Sequence, residues 1–283
     1  MKFTVLITLF LTTNILLGQQ IPQFSEYDAN LSMFNPAITG VKGKMYTSFT
    51  GRKQWNAFSG SPETITGLYE HNTGLNALGG GYMYDQYGLE NNNRVYFNYA
   101  RIITFEKVKL NIGSSLSYSR KSFSPSSINA VDPNDPSISN LDNPLSHIVG
   151  VGLGGSVYND KFESGLGVTN INSSFSTFGA ERNSSPHLYL NAAYKINSSN
   201  YKWRISSLMK TDFNSSTAEA QIRSLIKEFI YLGGGARSTM ALHGIIGFQF
   251  LKNLKIAYLF EYQNFTLSQS YNTHEFILSW KLK

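Results

Sequence analysis

Two kinds of short stretch in this 283-residue chain have residue types and spacing from which chemistry could be built. Gly150, Gly152 and Gly155 in "GVGLGG" match G-x-G-x-x-G, which cradles a dinucleotide pyrophosphate when a helix begins there. The residues that follow, "SVYNDKFESGLGV", read instead as a turn between strands, so these glycines are expected to let a strand bend or pack closely. The "GGG" runs at Gly79–Gly81 and Gly233–Gly235 are read the same way. His274-Glu275 opens like H-E-x-x-H, but Leu278 stands where the second zinc-binding histidine is needed. The five histidines (His71, His147, His187, His243, His274) are widely spread, and serines show no spacing to a base that would mark a hydrolase. With no cysteine, a disulfide framework and a Cys-ligated metal are excluded. No catalytic residue, metal ligand or cofactor is therefore expected. The net charge of +6 comes from scattered rather than clustered basic residues, which speaks against a nucleic-acid partner.

What remains is architecture. Charged residues make up 15% of the chain, well below the usual quarter, while aromatics reach 14% and glycines number 24. Residues 1–18 read as a secretory signal: Lys2, then an apolar run from Phe3 to Leu17, then Gly18 before cleavage near Gln19. An uncleaved anchor is the rival reading, but the run is short for a helical span. No later segment is apolar enough over ~18 residues to cross a bilayer as a helix. The chain is thus expected to be either soluble outside the cytoplasm or a barrel in an outer membrane.

A period of two runs through most of the chain. In "VKLNIGSSLSY", Leu110, Ile112, Leu116 and Tyr118 share one face with Val108, and Lys109, Asn111, Gly113, Ser115 and Ser117 share the other. "HLYLNAAYKI" and "HEFILSWKL" alternate likewise. Strands are expected at 43–52, 62–72, 77–85, 93–104, 107–119, 147–158, 161–170, 187–196, 201–211, 217–227, 229–237, 240–250, 254–262 and 273–282. Their connections alternate in length. Lys53–Ser61, Gln86–Asn92, Arg120–Ser146, Ile171–Pro186 and Gln263–Asn272 are long, whereas those after even strands are short. Outer-membrane barrels have this parity, with short periplasmic turns and longer external loops. Aromatics near strand ends (Tyr46, Trp55, Tyr69, Tyr84, Tyr158, Tyr201, Trp203, Tyr258, Tyr262, Trp280) suit interfacial girdles. The expected fold is all-β, a transmembrane antiparallel β-barrel of about 14 strands with an irregular N-terminal segment. Lys107, Lys109, Lys195, Arg204, Lys255 and Lys281 would line a somewhat basic lumen; in a soluble sheet they would be the solvated face.

The N-terminal segment, "PQFSEYDANLSMFNPAITG", resembles the start of mature PorP/SprF-family proteins, outer-membrane components of the type IX secretion system. That family opens with P-x-F-x-Q-Y and then turns at N-P-A-x-x-G. The corresponding residues are Pro22, Phe24 and Tyr27, with Glu26 in place of the usual glutamine, then Asn35, Pro36, Ala37 and Gly40. "RKQW" (Arg52, Gln54, Trp55) resembles the family's R-x-Q-W, and Asp85 and Gly88 its G-G-x-x-x-x-D-x-x-G. "YLGGGARS", with Arg237, resembles its L-G-G-x-x-R stretch, and His274-Glu275 its closing H-E-I strand. The chain departs from many barrel proteins in ending Lys-Leu-Lys, with Trp280 the nearest aromatic.

The resemblance implies a non-enzymatic helper in exporting or retaining secreted surface proteins with C-terminal sorting domains, such as adhesins. It also implies a periplasmic, peptidoglycan-associated lipoprotein or other secretion component as partner, with outer-membrane lipid around the barrel. The chain divides into a signal peptide (1–18), a plug or docking segment (19–42) and a barrel (43–283). The segment is expected to be periplasmic at its start and anchored in the barrel mouth by Phe24, Tyr27 and Phe34. Asn35, Pro36 and Gly40 would turn it into the first strand. A disordered leader is the alternative, against which its aromatics argue. Two other functions stay open: an outer-membrane diffusion channel or small-solute transporter, and a secreted soluble β-sandwich adhesin. The 120–146 stretch, rich in proline, reads as a mobile or recognition loop.

Overall fold

A computed structural model describes residues 22–56, 60–123, 145–171, 185–251, 253–265 and 269–282. The leader at 1–18, most of the 120–146 and 171–186 stretches and the centre of 263–272 lie outside them. Alternation of apolar and polar residues lets each strand show one face to lipid and the other to a lumen. The first strands are β1 (Met45–Lys53), β2 (Glu63–Asn72), β3 (Asn76–Tyr87), β4 (Glu90–Thr104) and β5 (Lys109–Phe123). Next come β6 (Leu145–Tyr158), β7 (Phe162–Thr169), β8 (His187–Asn197), β9 (Tyr201–Thr211) and β10 (Ser216–Ile226). The last are β11 (Ile230–Arg237), β12 (Ala241–Phe250), β13 (Leu254–Phe265) and β14 (Gln269–Leu282). Each pairs antiparallel with its sequence neighbours, and β1 pairs with β14 from Met45↔Leu282 to Lys53↔His274. The ring is closed, so where all fourteen strands pair no backbone edge is left bare to hydrocarbon; the outer half of β6 extends beyond its pairing with β7, which ends at Leu153↔Val168.

The outward residues form an apolar belt: Phe49, Phe97, Leu116, Leu190 and Phe276 are all exposed. Their neighbours in sequence turn inward, as Asn98, Ser117, Asn191 and Glu275 do, and are buried. Three expected girdle aromatics depart from that role. Tyr46 and Tyr158 face the lumen and are buried, and Trp55 donates from its indole N–H to Gln263 at 3.1 Å.

The end carrying the start of β1, the end of β14 and the even-numbered turns is the periplasmic one by the rule for such barrels. At the other end, long connections follow β1, β5 and β7, but two expected long ones are short. β3 and β4 meet at Gly88-Leu89, and β13 and β14 extend into 263–272. Gly88 has φ +56, which permits the tight turn, and Asp85–Gln86 pair with Asn91–Asn92 across it. Polar strand ends that rise beyond the lipid look like loop to a hydrophobicity reading.

Candidate functional site

The inner wall meets the chain's own N-terminal segment. Residues 24–39 are almost all buried, folded as two short 3-10 turns at Tyr27–Met33 and Pro36–Ile38. Asn35, extended, accepts at its side-chain oxygen from the Ala37 N–H (3.0 Å), and Pro36 fills the first position of the second turn. Gly40 then takes φ +79, where a Cβ would stand 2.5 Å from that of Ala77. Its N–H donates to Glu70 (2.9 Å) and its carbonyl accepts from Asn72 (2.8 Å), tying the segment to β2 just before β1 begins.

The segment touches the wall around the circumference. Phe24, Tyr27, Leu31 and Phe34 join one buried cluster with Tyr46, Met83, Tyr96 and Tyr189 of the wall, and Phe34 stacks on Tyr189 at 5.0 Å between ring centres. Asn98 donates to the Ser32 carbonyl (2.8 Å), and Asn111 and Ser156 both donate to that of Ala37 (2.9 Å each). The wall thins to glycine where the backbone comes closest. A Cβ on Gly154 would lie 2.0 Å from the Asn35 side-chain oxygen, and one on Gly113 would lie 2.4 Å from the Ala37 nitrogen. This is the function of Gly154 in the "GVGLGG" run: close approach rather than phosphate binding.

Charges complete the attachment in three groups. In the first, both Glu275 carboxylate oxygens accept from backbone, Ser25 N–H at 2.8 Å and Glu26 N–H at 3.1 Å, while Arg52 pairs with the same carboxylate at 3.1 Å. Arg52 also approaches Glu261 (3.4 Å), and Arg237 joins Glu261 (3.0 Å), Glu219 (2.8 Å) and the Ser25 hydroxyl (2.8 Å). The Ser25 hydroxyl donates to Glu261. In the second, Glu26 accepts from Arg223 (2.9 Å) and Tyr231 (2.9 Å), with Lys255 at 3.5 Å. Burial alone would raise the Glu26 carboxyl; Arg223 and Lys255 overcome it and hold the group below the ordinary carboxylate range. In the third, Asp28 receives two N–H bonds from Arg204 (2.9 and 3.1 Å), which also reaches Glu163 at 3.1 Å. Burial pushes Asp28 upward too, but Arg204 prevails and its pKa falls to about 2. Burial and the Asp28 charge push the Tyr27 phenol strongly upward, so it is a neutral donor, to Ser206 at 3.1 Å.

The lining is therefore largely charge-paired rather than simply basic, although the buried Arg94 donates to the neutral Ser117 (3.1 Å) and Asn170 (3.4 Å). Arg204, Lys195 (3.6 Å from Glu163) and Lys255 each face a carboxylate, Lys107 sits in the β4–β5 turn and Lys109 is exposed. The cause is that inward charges have little water and need partners. The path of the segment also departs from expectation. Gln23 donates to Glu219 (3.1 Å) and accepts from Thr217 (3.4 Å), near the outer end of β10 and not at the periplasmic mouth, while residues 19–21, where the segment begins, lie outside the described residues.

Of the residues singled out from sequence, Phe24, Tyr27, Phe34, Asn35, Pro36 and Gly40 lie within the buried segment. Arg52, Arg237 and Glu275 converge on Ser25 and Glu26. Four others do not join them. Trp55 donates its indole N–H to Gln263 (3.1 Å). Gln54 donates its backbone N–H to the Pro62 carbonyl, Asp85 accepts from Thr64 (2.6 Å), and His274 bonds the Tyr258 hydroxyl (2.6 Å) on the outer face. Sequence reasoning missed Asp28, Glu163, Glu219, Arg223 and Glu261, and it placed Arg204 in the lumen without its partners. For all but Asp28, which lies in the first 3-10 turn, the signal was there, as charges at the polar positions of otherwise apolar alternating strands. Every carboxylate in the three groups is bound to a cation or an N–H, and among the described residues no His/Asp/Glu group is placed to hold a metal. These contacts hold the segment to the wall.

Known structures share this architecture. The toluene transporter TbuX of Ralstonia pickettii superposes with TM-score 0.52 at 11% identity, covering 88% of this chain and 92% of that one. The outer membrane protein Omp33 of Acinetobacter baumannii gives TM-score 0.52 at 8% identity, covering 85% of this chain and 100% of that one. At such identities the likeness is one of fold. No curated protein sequence matches the chain. The family model described as "Type IX secretion system membrane protein PorP/SprF" matches residues 16–280, nearly the whole length. A closed barrel with a lipid-facing belt, spanned by one family model from end to end, makes this chain a member of the PorP/SprF family of type IX secretion system membrane proteins, located in the outer membrane.

Proposed function

We propose that the protein is a non-enzymatic component of the type IX secretion system that assists export or surface attachment of proteins with C-terminal sorting domains, large adhesins among them. Residues 19–42 act as a fixed plug and docking strip inside the barrel of residues 43–283, once the signal peptide, residues 1–18, is removed. A periplasmic, peptidoglycan-associated lipoprotein is the partner on the inner side.

One observation carries this reading over that of a diffusion channel: the N-terminal segment contacts wall residues from β2 (Glu70) through β5, β6, β8 and β10 to β14 (Glu275), and so crosses the lumen. An open, porin-like channel keeps that space for solute. A plugged member of a secretion machine does not need it, and a rigid interior gives partners at either mouth an invariant surface.

Affinity purification in mild detergent, with mass spectrometry of the co-purified proteins, is the test. Recovery of a sortable surface protein together with a peptidoglycan-associated lipoprotein is expected. A clean monomer that carries a sustained anion current in planar bilayers would refute the reading. Deletion of residues 20–34 should leave barrel assembly measurable, raise conductance and impair client export; normal export and unchanged conductance would remove the plug.

A further inference from the structure

The start of the described chain sits at an unexpected height. Gln23 is held by Thr217 and Glu219, the second and fourth residues of β10, immediately below the β9–β10 hairpin at the outer end. Three residues later Glu26 is bound by Arg223, Tyr231 and Lys255, close to the periplasmic ends of their strands. Thr217 and Arg223 are six residues apart on β10, about 15 Å along the barrel axis for ~3.4 Å per residue and a ~40° tilt. The segment therefore descends through the lumen from its outer half. It then climbs to Phe34 beside Tyr189, near the outer end of β8, and descends again to Gly40 beside Asn72, at the periplasmic end of β2. Burial follows the same course: Pro22 and Gln23 are half-exposed, whereas Phe24 through Tyr27 are buried.

We infer that Pro22 and Gln23 are accessible from the cell exterior and not from the periplasm. The inference needs only the barrel's orientation and the segment's path; it does not depend on the export role. Ser25, bonded to Glu275, Glu261 and Arg237, fixes the chain just beneath this point and keeps the exposed residues from withdrawing. Glu219, which accepts from Gln23, is itself paired with Arg237 at 2.8 Å, and both are buried.

The chain has no cysteine, so single-cysteine labelling in intact cells with a membrane-impermeant maleimide tests this directly. Asn214→Cys, in the exposed β9–β10 turn, reports the outside, and Leu75→Cys, in the exposed β2–β3 turn, reports the periplasm. Gln23→Cys should label in intact cells together with Asn214→Cys, while Leu75→Cys labels only after the outer membrane is permeabilised. Pro22→Cys, which leaves the Gln23 hydrogen bonds in place, should behave as Gln23→Cys, and heat-modifiable gel migration verifies that each variant is folded. Labelling of both position-22 and position-23 variants only after permeabilisation, or in neither condition while Asn214→Cys reacts, overturns the inference. So does an Asn214→Cys that stays silent in intact cells, because the orientation is then wrong.

Discussion

Replacing Glu275 by glutamine keeps the size of a fully buried side chain and removes only its charge and one acceptor. The carboxylate takes two backbone N–H bonds, from Ser25 and Glu26, and one guanidinium, from Arg52 at 3.1 Å. A glutamine amide offers one oxygen for these three donors and turns its NH2 toward another of them. Hydrogen bonds to a charged group contribute ~1.5–3 kcal/mol each, and breaking a buried ion pair costs ~3–5 kcal/mol. Arg52 keeps Glu261 at 3.4 Å, which places the loss at the lower end, about 3 kcal/mol. That is a roughly 100-fold rise in the fraction of molecules with the segment detached at its start.

The barrel ladder is untouched, so detachment is local and is best read by amide hydrogen exchange of the peptide around Gln23–Asn30 in detergent. Protection there should fall about 100-fold while that of the β4–β5 hairpin stays constant. Arg52→Met combined with Glu275→Gln should cost less than the sum of the two, because the pair is shared. Unchanged protection of the Ser25–Glu26 amides in Glu275→Gln would refute the attachment described here, and so would equal loss across all hairpins, which would mean that Glu275 supports the barrel instead.

Three further outcomes test the wall, the charge pairs and the lipid face. Gly113→Ala puts a Cβ 2.4 Å from the Ala37 nitrogen and 2.6 Å from the Pro36 carbonyl carbon, both backbone, and should lower stability by ~1–3 kcal/mol; Gly155→Ala, with nothing within 4 Å, should change it by less than ~0.5 kcal/mol in calorimetry. The Asp28 pKa of about 2 lies below the ordinary 3.8, so its contribution is complete above about pH 4 and is lost as pH falls through 2. The melting-temperature difference between wild type and Asp28→Asn should accordingly be constant from pH 8 to 5 and close in acid; a difference that closes on the alkaline side would contradict the pairing with Arg204. Phe97→Arg, midway along β4 on the lipid face, should cost ~2–4 kcal/mol and reduce the heat-modifiable folded fraction; an unchanged fraction would mean that this face does not meet hydrocarbon.

Much of the fold can be read from the chain because a strand's two faces are a local property. Leu110, Ile112 and Leu116 announce lipid and Asn111 and Ser117 announce lumen without any knowledge of their partners. Fourteen strands, the closing pairing of β1 with β14 and the tight even-numbered turns follow from repeating that reading and from the requirement that no edge remain open in a bilayer. The errors fall where the local signal changes meaning: the Asn-rich start of β4 is a strand that has risen out of the lipid, and Tyr46 is an aromatic at a strand end that turns inward.

The site could not be read in the same way. Alternation says that Glu275 faces inward but not that it meets Ser25, 250 residues earlier. That meeting depends on barrel diameter, on register around the closed ring and on the descent of the segment from Gln23 to Glu26. By itself the sequence determined a run of alternating strands with the loop parity of an outer-membrane barrel, and the types of residue on each of their faces. Only tertiary structure decided which inward charges pair, because buried charges are satisfied by whatever partner closure brings within about 3 Å, and sequence distance has no part in that choice.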